Sequence, residues 1–211
     1  MPAIIFTSNY ASIVFVVAII CFFLAEQIGG VIIPTIRRGG ALVQRKKGNA
    51  VSNIMVYVGW MVVLTVSAVF GKDGIAFLPD WMYLVGIVFM FGGIVFSQWA
   101  ISVLGRYFSG VIGVQKEQKV VDTGPYHLIR HPSYTGALIF YVGMGLAVQS
   151  WAAVLVAVIV FGAVYGYRIF VEEKVLINEL GNNYVDYKKR TKRIQLLKLK
   201  TTATYVQDNS F

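Results

Sequence analysis

The apolar positions of this chain fall into runs long enough to cross a bilayer, which takes about 17 to 25 residues of helix. Five such runs extend from Ala11 to Ile33, Ser52 to Phe70, Trp81 to Leu104, Ser133 to Gln149 and Trp151 to Arg168. Almost nothing separates the last two, so they are expected to form a tight transmembrane hairpin turning at Gln149 and Ser150. The pattern predicts an all-α polytopic membrane protein with five transmembrane helices. The fifth helix does not stop at the membrane. RIFVEEKVLINELG keeps helical spacing through Val171, Val175, Leu176 and Leu180, until Gly181 supplies a C-cap.

Composition agrees with the pattern. The 211 residues are 57% hydrophobic and 14% charged, with a mean hydropathy of +0.67, whereas soluble domains carry roughly 25% charged residues. One cysteine, Cys21, and prolines and glycines without a period exclude a disulfide scaffold and collagen. The net charge is +9, and 18 of the 19 Lys and Arg lie in three stretches: Arg37 to Lys47, Arg106 to Arg130, and Arg168 onward. Lys72 stands alone on the other side. The positive-inside rule then places the N-terminus outside and the C-terminus in the cytoplasm, and the basic excess also favours anionic headgroups of the lipid bilayer. No basic stripe with stacking aromatics suggests nucleic acid. The first run lacks a basic n-region and a small-residue cleavage site, so it is expected to be a retained helix. Residues 1–104 read as an N-terminal three-helix membrane region, 105–193 as a catalytic region, and 194–211 as a basic tail.

Three stretches on the inner side carry candidate chemistry. The loop from Gly105 to Arg130 mixes turn and apolar residues, as an ordered lid would, with a tight turn at Gly124 and Pro125. In RHPSY, Pro132 suits the first turn of the fourth helix and leaves His131 near its cap. That helix end carries free N–H groups and a positive dipole end, able to hold a carboxylate or phosphate. Two readings stand for Arg130 and His131: they border such a site, or they meet lipid phosphates. Arg168 and Glu172 stand four apart on one helical face, where they either pair with each other or serve a ligand. The adjacent carboxylates Glu172 and Glu173 can bind a cation such as a sulfonium or an amine. Glu26 lies seven positions before the inner end of the first run, roughly 10 Å deep at 1.5 Å per residue. Acids at that depth face a partner or a cavity. Tyr165, Tyr167 and Trp99 are expected to be interfacial anchors, and Gly143 and Gly145 to let helices approach closely. His127 and His131 lack metal-ligand spacing, so no metal is expected.

GPYHLIRHPSYTG, followed about 36 residues later by EEKVLINELGNNYVDYKKR, resembles the isoprenylcysteine carboxyl methyltransferase family of integral membrane enzymes that use S-adenosylmethionine. The likeness covers Gly105 to Arg193. It implies cofactor contacts at Gln118, Lys119, Val120, Val121, Tyr126, His131, Pro132, Ser133, Tyr134 and Glu172, with Arg168 on the substrate side and Arg168 and Glu172 as the catalytic pair. It implies a lipidic or prenylated carboxylate as methyl acceptor. The membrane would be a plasma membrane in a prokaryote or the endoplasmic reticulum in a eukaryote. The chain departs from the family pattern in three places. Gln118 stands where a histidine is common, Gln149 and Ser150 replace an Asn-Pro corner, and Ile194, Gln195 and Leu196 replace a proline.

A carboxylate acceptor is already nucleophilic at neutral pH, so the enzyme must supply alignment rather than a base. Two other functions compete: an N-methyltransferase acting on phospholipid amines, which needs a base at the acceptor, and a non-catalytic lipid-binding membrane protein.

Overall fold

In the computed structural model the described residues are 2–37, 39, 44–45, 49–115 and 117–193, so the tail 194–211 lies outside them. Seven helices carry the fold: α1 (Asn9–Gln27), α2 (Ile33–Arg37), α3 (Asn49–Asp73), α4 (Met82–Leu104), α5 (Pro132–Ala147), α6 (Trp151–Leu180) and α7 (Asn182–Arg190). A π turn at Ile28–Ile32 joins α1 to α2 without a break. Two short strands, β1 (Gln44–Arg45) and β2 (Gly113–Val114), pair antiparallel and tie two inner loops together.

Among the described residues four helices are long and apolar enough to cross a membrane: Asn9–Arg37, Ala50–Asp73, Met82–Tyr107 and Trp151–Leu180. The fourth expected span is different. Its helix, α5, has 16 residues, about 24 Å at 1.5 Å per residue, against a hydrocarbon core of about 30 Å. It is also the most enclosed helix of the bundle, with Phe140, Met144 and Ala147 fully buried.

Small residues make that burial possible. A Cβ built on Gly93 would stand 2.6 Å from the Gly136 carbonyl oxygen and the Phe140 nitrogen, and one on Gly143 would stand 2.7 Å from the Gly86 carbonyl oxygen. So α4 and α5 meet backbone to backbone through Gly86, Gly93, Gly136 and Gly143. Meanwhile Leu84, Val88 and Val95 are exposed on the outer face of α4, the small-inside, large-outside pattern of helices packed in lipid. Gly145 does the same against α6, where a Cβ would meet the Val154 nitrogen at 2.7 Å.

The expected hairpin between α5 and α6 is present and latched. Gln149 turns the corner with φ 54°. Its side-chain oxygen accepts from the Ile4 N–H at 2.6 Å, and its amide nitrogen donates to Asp80 Oδ1 at 2.8 Å. Ser150 caps α6 by accepting from the Ala153 N–H at 3.2 Å and donates to the Ile75 carbonyl at 2.7 Å. The Gln-Ser pair thus binds the N-terminal segment and the loop between α3 and α4 through side chains.

Adjacent glycines on α4 give a direct test. Gly93→Ala places a methyl into backbone and is expected to cost about 3 kcal/mol or more, whereas Gly92, with nothing within 4 Å of its Cβ position, should gain slightly from Gly92→Ala through helix propensity. Thermal unfolding of both variants in detergent checks this; equal melting points would contradict the packing.

Candidate functional site

The start of α5 and the last turns of α6 are joined by an ion cluster around the buried Glu173. Arg130 Nε donates to Glu173 Oε1 at 2.9 Å, Arg193 Nη2 to Oε2 at 3.0 Å, and Lys188 Nζ lies 3.3 Å from Oε2. Arg130 also donates to the carbonyls of Lys188 and Thr191. Backbone bonds run alongside, from the Arg130 N–H to the Lys192 carbonyl at 2.7 Å and from the Lys192 N–H to the Leu128 carbonyl at 3.2 Å. The chain after α7 is therefore clamped against the segment entering α5. Arg130 is 9% exposed and engaged with protein. This corrects the reading in which it meets lipid phosphates.

Glu172, one residue earlier, points elsewhere. Its Oε2 accepts from the Tyr134 hydroxyl at 2.9 Å and lies 3.8 Å from His131 Nδ1. Tyr134 in turn accepts from Arg168 Nε at 2.9 Å. Arg168 and Glu172 are thus joined through a phenol hydroxyl and do not pair directly. The remaining Arg168 donors go to Ser52 Oγ at 3.1 Å, Asn53 Oδ1 at 2.8 Å and the Gly110 carbonyl at 2.7 Å. Four of the five guanidinium N–H groups are engaged, leaving one on Nη2.

Tyr134 stands in the wall between two cavities. The larger, about 190 Å³, is lined by apolar and aromatic residues such as Phe22, Phe23, Val56 and Trp60, with Arg168 and Glu26 as its charged members and Asn53, Gln27 and three serines as polar ones. The smaller, about 90 Å³, lies under the α4–α5 loop. Gln118, Lys119, Val120, Val121, Tyr126, His131, Ser133, Tyr134 and Glu172 all line it. Nine of the ten positions expected for the cofactor are therefore brought together, while Arg168 faces the other cavity. Pro132 is the exception. It is buried at the first turn of α5 and lines neither cavity. Gln118 also stabilises the loop locally, accepting from the Gln115 N–H at 3.0 Å.

Three phenols of the smaller cavity lie outside the spans. Burial pushes Tyr126 and Tyr184 well up, with the Glu172 charge adding to it. Tyr187 is pushed up to about 12, again by burial, although Arg130 opposes the shift. All three stay neutral at physiological pH, so none serves as a base there.

Some participants were not anticipated. Tyr165 is 9% exposed, stacks on Phe161 at 4.3 Å and lines the larger cavity, so it is a cavity wall and not an interfacial anchor. Tyr167 and Trp99, by contrast, are exposed. Ser52 and Asn53 hold Arg168 from α3, a region whose sequence reads only as hydrophobic. Their one signal was being polar at the edge of an apolar run. Tyr187 also escaped the sequence reading; its hydroxyl donates to the Tyr126 carbonyl at 2.7 Å.

A family model described as phospholipid methyltransferase matches residues 81–183, from the start of α4 into α7. Protein-S-isoprenylcysteine O-methyltransferase B of Arabidopsis thaliana is 27% identical over 146 residues, covering 66% of this chain and 74% of that protein. The protein-S-isoprenylcysteine O-methyltransferase of Saccharomyces cerevisiae is 32% identical over 93 residues, 43% of this chain and 39% of that protein. The solved eukaryotic intramembrane Ras methyltransferase, isoprenylcysteine carboxyl methyltransferase, superposes with a TM-score of 0.53 at 21% identity, over 72% of this chain and 54% of that one. The chain is similar to these membrane methyltransferases over about half to two thirds of its length. It spans 37% to 55% of the length of the curated relatives other than the first. The solved relative shares the helical arrangement, and the matched region holds Tyr134, Arg168, Glu172 and Glu173.

The neighbours Glu172 and Glu173 should behave oppositely. Glu173→Gln leaves Arg130 buried beside a neutral partner and is expected to cost about 3 kcal/mol, seen as a lowered melting temperature. Glu172→Gln keeps its hydrogen bond from Tyr134 and should melt within about 0.5 kcal/mol of the parent. Equal losses would contradict the division of roles.

Proposed function

We propose that the chain is an integral membrane methyltransferase that transfers the methyl group of S-adenosylmethionine to the carboxylate of a lipidic acceptor, as in protein C-terminal S-isoprenylcysteine methylation. The observation that carries the reading is the pair of cavities meeting at Tyr134, one with an unneutralised carboxylate and one with a guanidinium. The donor set of the smaller cavity fits a sulfonium compound with an adenosine. Among the described residues Glu172 has a phenol and an imidazole beside it and no Lys or Arg in ion-pairing contact, so its charge is available to a cation. Tyr126, Tyr184 and Tyr187 supply rings. The wall formed by Gln118 to Val121 is a loop without helix or strand, on the side of the cavity where a nucleoside would lie. Lys119 and the start of α5 would face the carboxylate end of that ligand.

S-adenosylmethionine supplies an activated methyl on a sulfonium. The chain's own residues do the rest. Arg168, held by Ser52 and Asn53, binds the acceptor carboxylate by a charge-assisted hydrogen bond from its remaining Nη2 N–H and turns one oxygen toward the wall it shares with the smaller cavity. Tyr134 fixes Arg168 relative to Glu172, and such alignment contributes several kcal/mol through proximity. The apolar residues of the larger cavity keep water from the acceptor and receive its lipid tail. A phospholipid amine is the rival acceptor suggested by the name of the family model. It requires loss of a proton, and the guanidinium on the acceptor side suits an anion.

On this reading α5 is the fifth crossing element, short because α4 and α6 enclose it, and the N-terminus lies outside. Single cysteines at Lys72 and Lys189, labelled with an impermeant maleimide on oriented vesicles, should react from opposite sides; reaction from one side removes the five-span assignment.

Arg168→Ala is expected to lower methylation at least a hundredfold while S-adenosylmethionine still binds, and Glu172→Ala to weaken that binding at least tenfold. Calorimetry and transfer of labelled methyl into base-labile ester check both. The rate should stay within about twofold from pH 6 to 8, because a carboxylate acceptor is already ionised across that range. A steep rise with pH would point to an amine.

A further inference from the structure

Arg168 and Glu172 line different cavities, so nothing bound at one can reach the other while the wall between them stands. Four residues line both cavities and form that wall: Phe108, Ser109, Ser133 and Tyr134. Two of them belong to the first turn of α5. The glycine contacts with α4 and the two hydrogen bonds of the Tyr134 hydroxyl fix them there. Phe108 and Ser109 belong instead to the segment 105–110 at the start of the α4–α5 loop, and that half of the wall is held differently. Gly105 ends α4 with φ 58°, a conformation that favours glycine. A Cβ on Gly105 or on Gly110 would find its nearest neighbour at 3.9 Å, so neither end is tightly packed. The bonds within the loop are local: the Phe108 N–H donates to the Gly105 carbonyl at 3.2 Å, the Val111 N–H to Ser109 Oγ at 3.2 Å, and Gln115 Nε2 to the Arg106 carbonyl at 2.6 Å. Among the described residues, the bond that ties the segment to a transmembrane helix runs from Arg168 Nη2 to the Gly110 carbonyl at 2.7 Å. The same nitrogen carries the uncommitted N–H of Arg168. The smaller cavity, about 90 Å³, is also well below the roughly 300 to 1,000 Å³ of most ligand pockets, so a nucleoside needs a wall to yield.

We propose that the Gly110 carbonyl occupies the place of an acceptor oxygen, and that the acceptor carboxylate displaces it from Arg168, releasing Phe108 and Ser109 from the wall so that the two cavities join. The proposal rests on the acceptor-cavity reading given above. A carboxylate arriving at the free N–H brings a full negative charge beside the carbonyl oxygen on one nitrogen, and the guanidinium binds the ion more strongly than the neutral group. Once the carbonyl leaves, the segment keeps its local bonds and turns about Gly105. The acceptor thus opens its own path to the methyl donor, and a neutral lipid of the same shape leaves the wall closed. Because the opened wall enlarges the smaller cavity, the carboxylate tightens cofactor binding instead of competing with it. Phe108 and Ser109 are gate residues in this scheme and take no part in the chemistry.

The probes are 3-(farnesylthio)propionate and its uncharged primary amide, with S-adenosylhomocysteine as an unreactive cofactor. Calorimetry on the detergent-purified protein should show the saturating carboxylate tightening S-adenosylhomocysteine about tenfold, and the amide changing it less than about twofold. Phe108→Ala opens the wall without touching Arg168. It should bind S-adenosylhomocysteine more tightly by itself, and the carboxylate should then add less than about twofold. Amide hydrogen exchange supplies a second readout, because a ligand that only filled the cavity would slow exchange over residues 105–112, whereas release of the gate speeds it. Absence of tightening in the wild type, tightening that survives in Phe108→Ala, or slowed exchange overturns the proposal. Labelled S-adenosylmethionine separates this failure from that of the function itself. If the carboxylate is methylated yet neither tightens binding nor speeds exchange, the gate fails and the methyltransferase reading stands. If it does both and is not methylated, the gate stands and the methyltransferase reading fails.

Discussion

In hydrocarbon, helices gain nothing by hiding apolar surface from lipid, so α4 and α5 are held by how closely their backbones approach. Gly86, Gly93, Gly136 and Gly143 set that distance, with Cβ positions that would lie 2.2 to 2.7 Å from partner backbone atoms. The consequence extends to the inner face. Because α5 cannot slide or rotate against α4, the residues at its first turn, His131 to Tyr134, have fixed positions. The short length of α5 has the same origin. A helix enclosed by neighbours and locked at its outer end by Gln149 can cross less hydrocarbon than one that faces lipid.

Charge is distributed around that fixed end according to how much compensation each group receives. Glu173 takes Arg130, Lys188 and Arg193, and with them fastens the segment after α7 to the entrance of α5. Loss of Glu173 leaves the buried Arg130 without its counter-charge, whereas Lys188 and Arg193 reach it from more exposed positions. Glu172 and Glu26 receive hydroxyl donors, from Tyr134 and Ser97 respectively. Of these three acids, Glu173 is engaged by cations of its own chain, while Glu172 and Glu26 accept from neutral hydroxyls at a cavity wall.

Much of this was legible in the sequence, for identifiable reasons. Apolar runs long enough to span are visible without tertiary information, and four of the five expected helices qualify by length. The corner at Gln149 and Ser150, the cap at Gly181 and the proline at the first turn of α5 are local and were read from local chemistry. The loop positions Gln118 to Val121 came from family likeness, and the structure sets them beside Tyr126 and Glu172. Other features were out of reach. Arg130 could be read either as bordering a site or as a lipid contact, because the partners that decide against lipid lie 43 to 61 residues away. Tyr165 looked like an anchor because a tyrosine near a helix end reads the same whether it faces a headgroup or a cavity. Ser52 and Asn53 belong to a helix that carries no motif, and only the packing of α3 against α6 brings them to Arg168.

The Tyr134 hydroxyl is where the two cavities become one site. It donates to Glu172 and accepts from Arg168, so both of its hydrogen-bonding roles are committed and its orientation is set by two charges of opposite sign. A hydroxyl in that position polarises in the direction that suits both neighbours, and hydrogen bonds linked in this way reinforce one another. Anything that draws Glu172 toward a cation in the smaller cavity weakens its hold on the Tyr134 proton, which in turn alters how strongly the phenol oxygen accepts from Arg168. On the proposed function, in which a nucleoside comes from water and a lipid from the bilayer, the two cavities would share this one oxygen, and a ligand in one would alter the donor strength offered in the other without movement of the helices. The rigid α4–α5 contact is what keeps that oxygen within 2.9 Å of both partners.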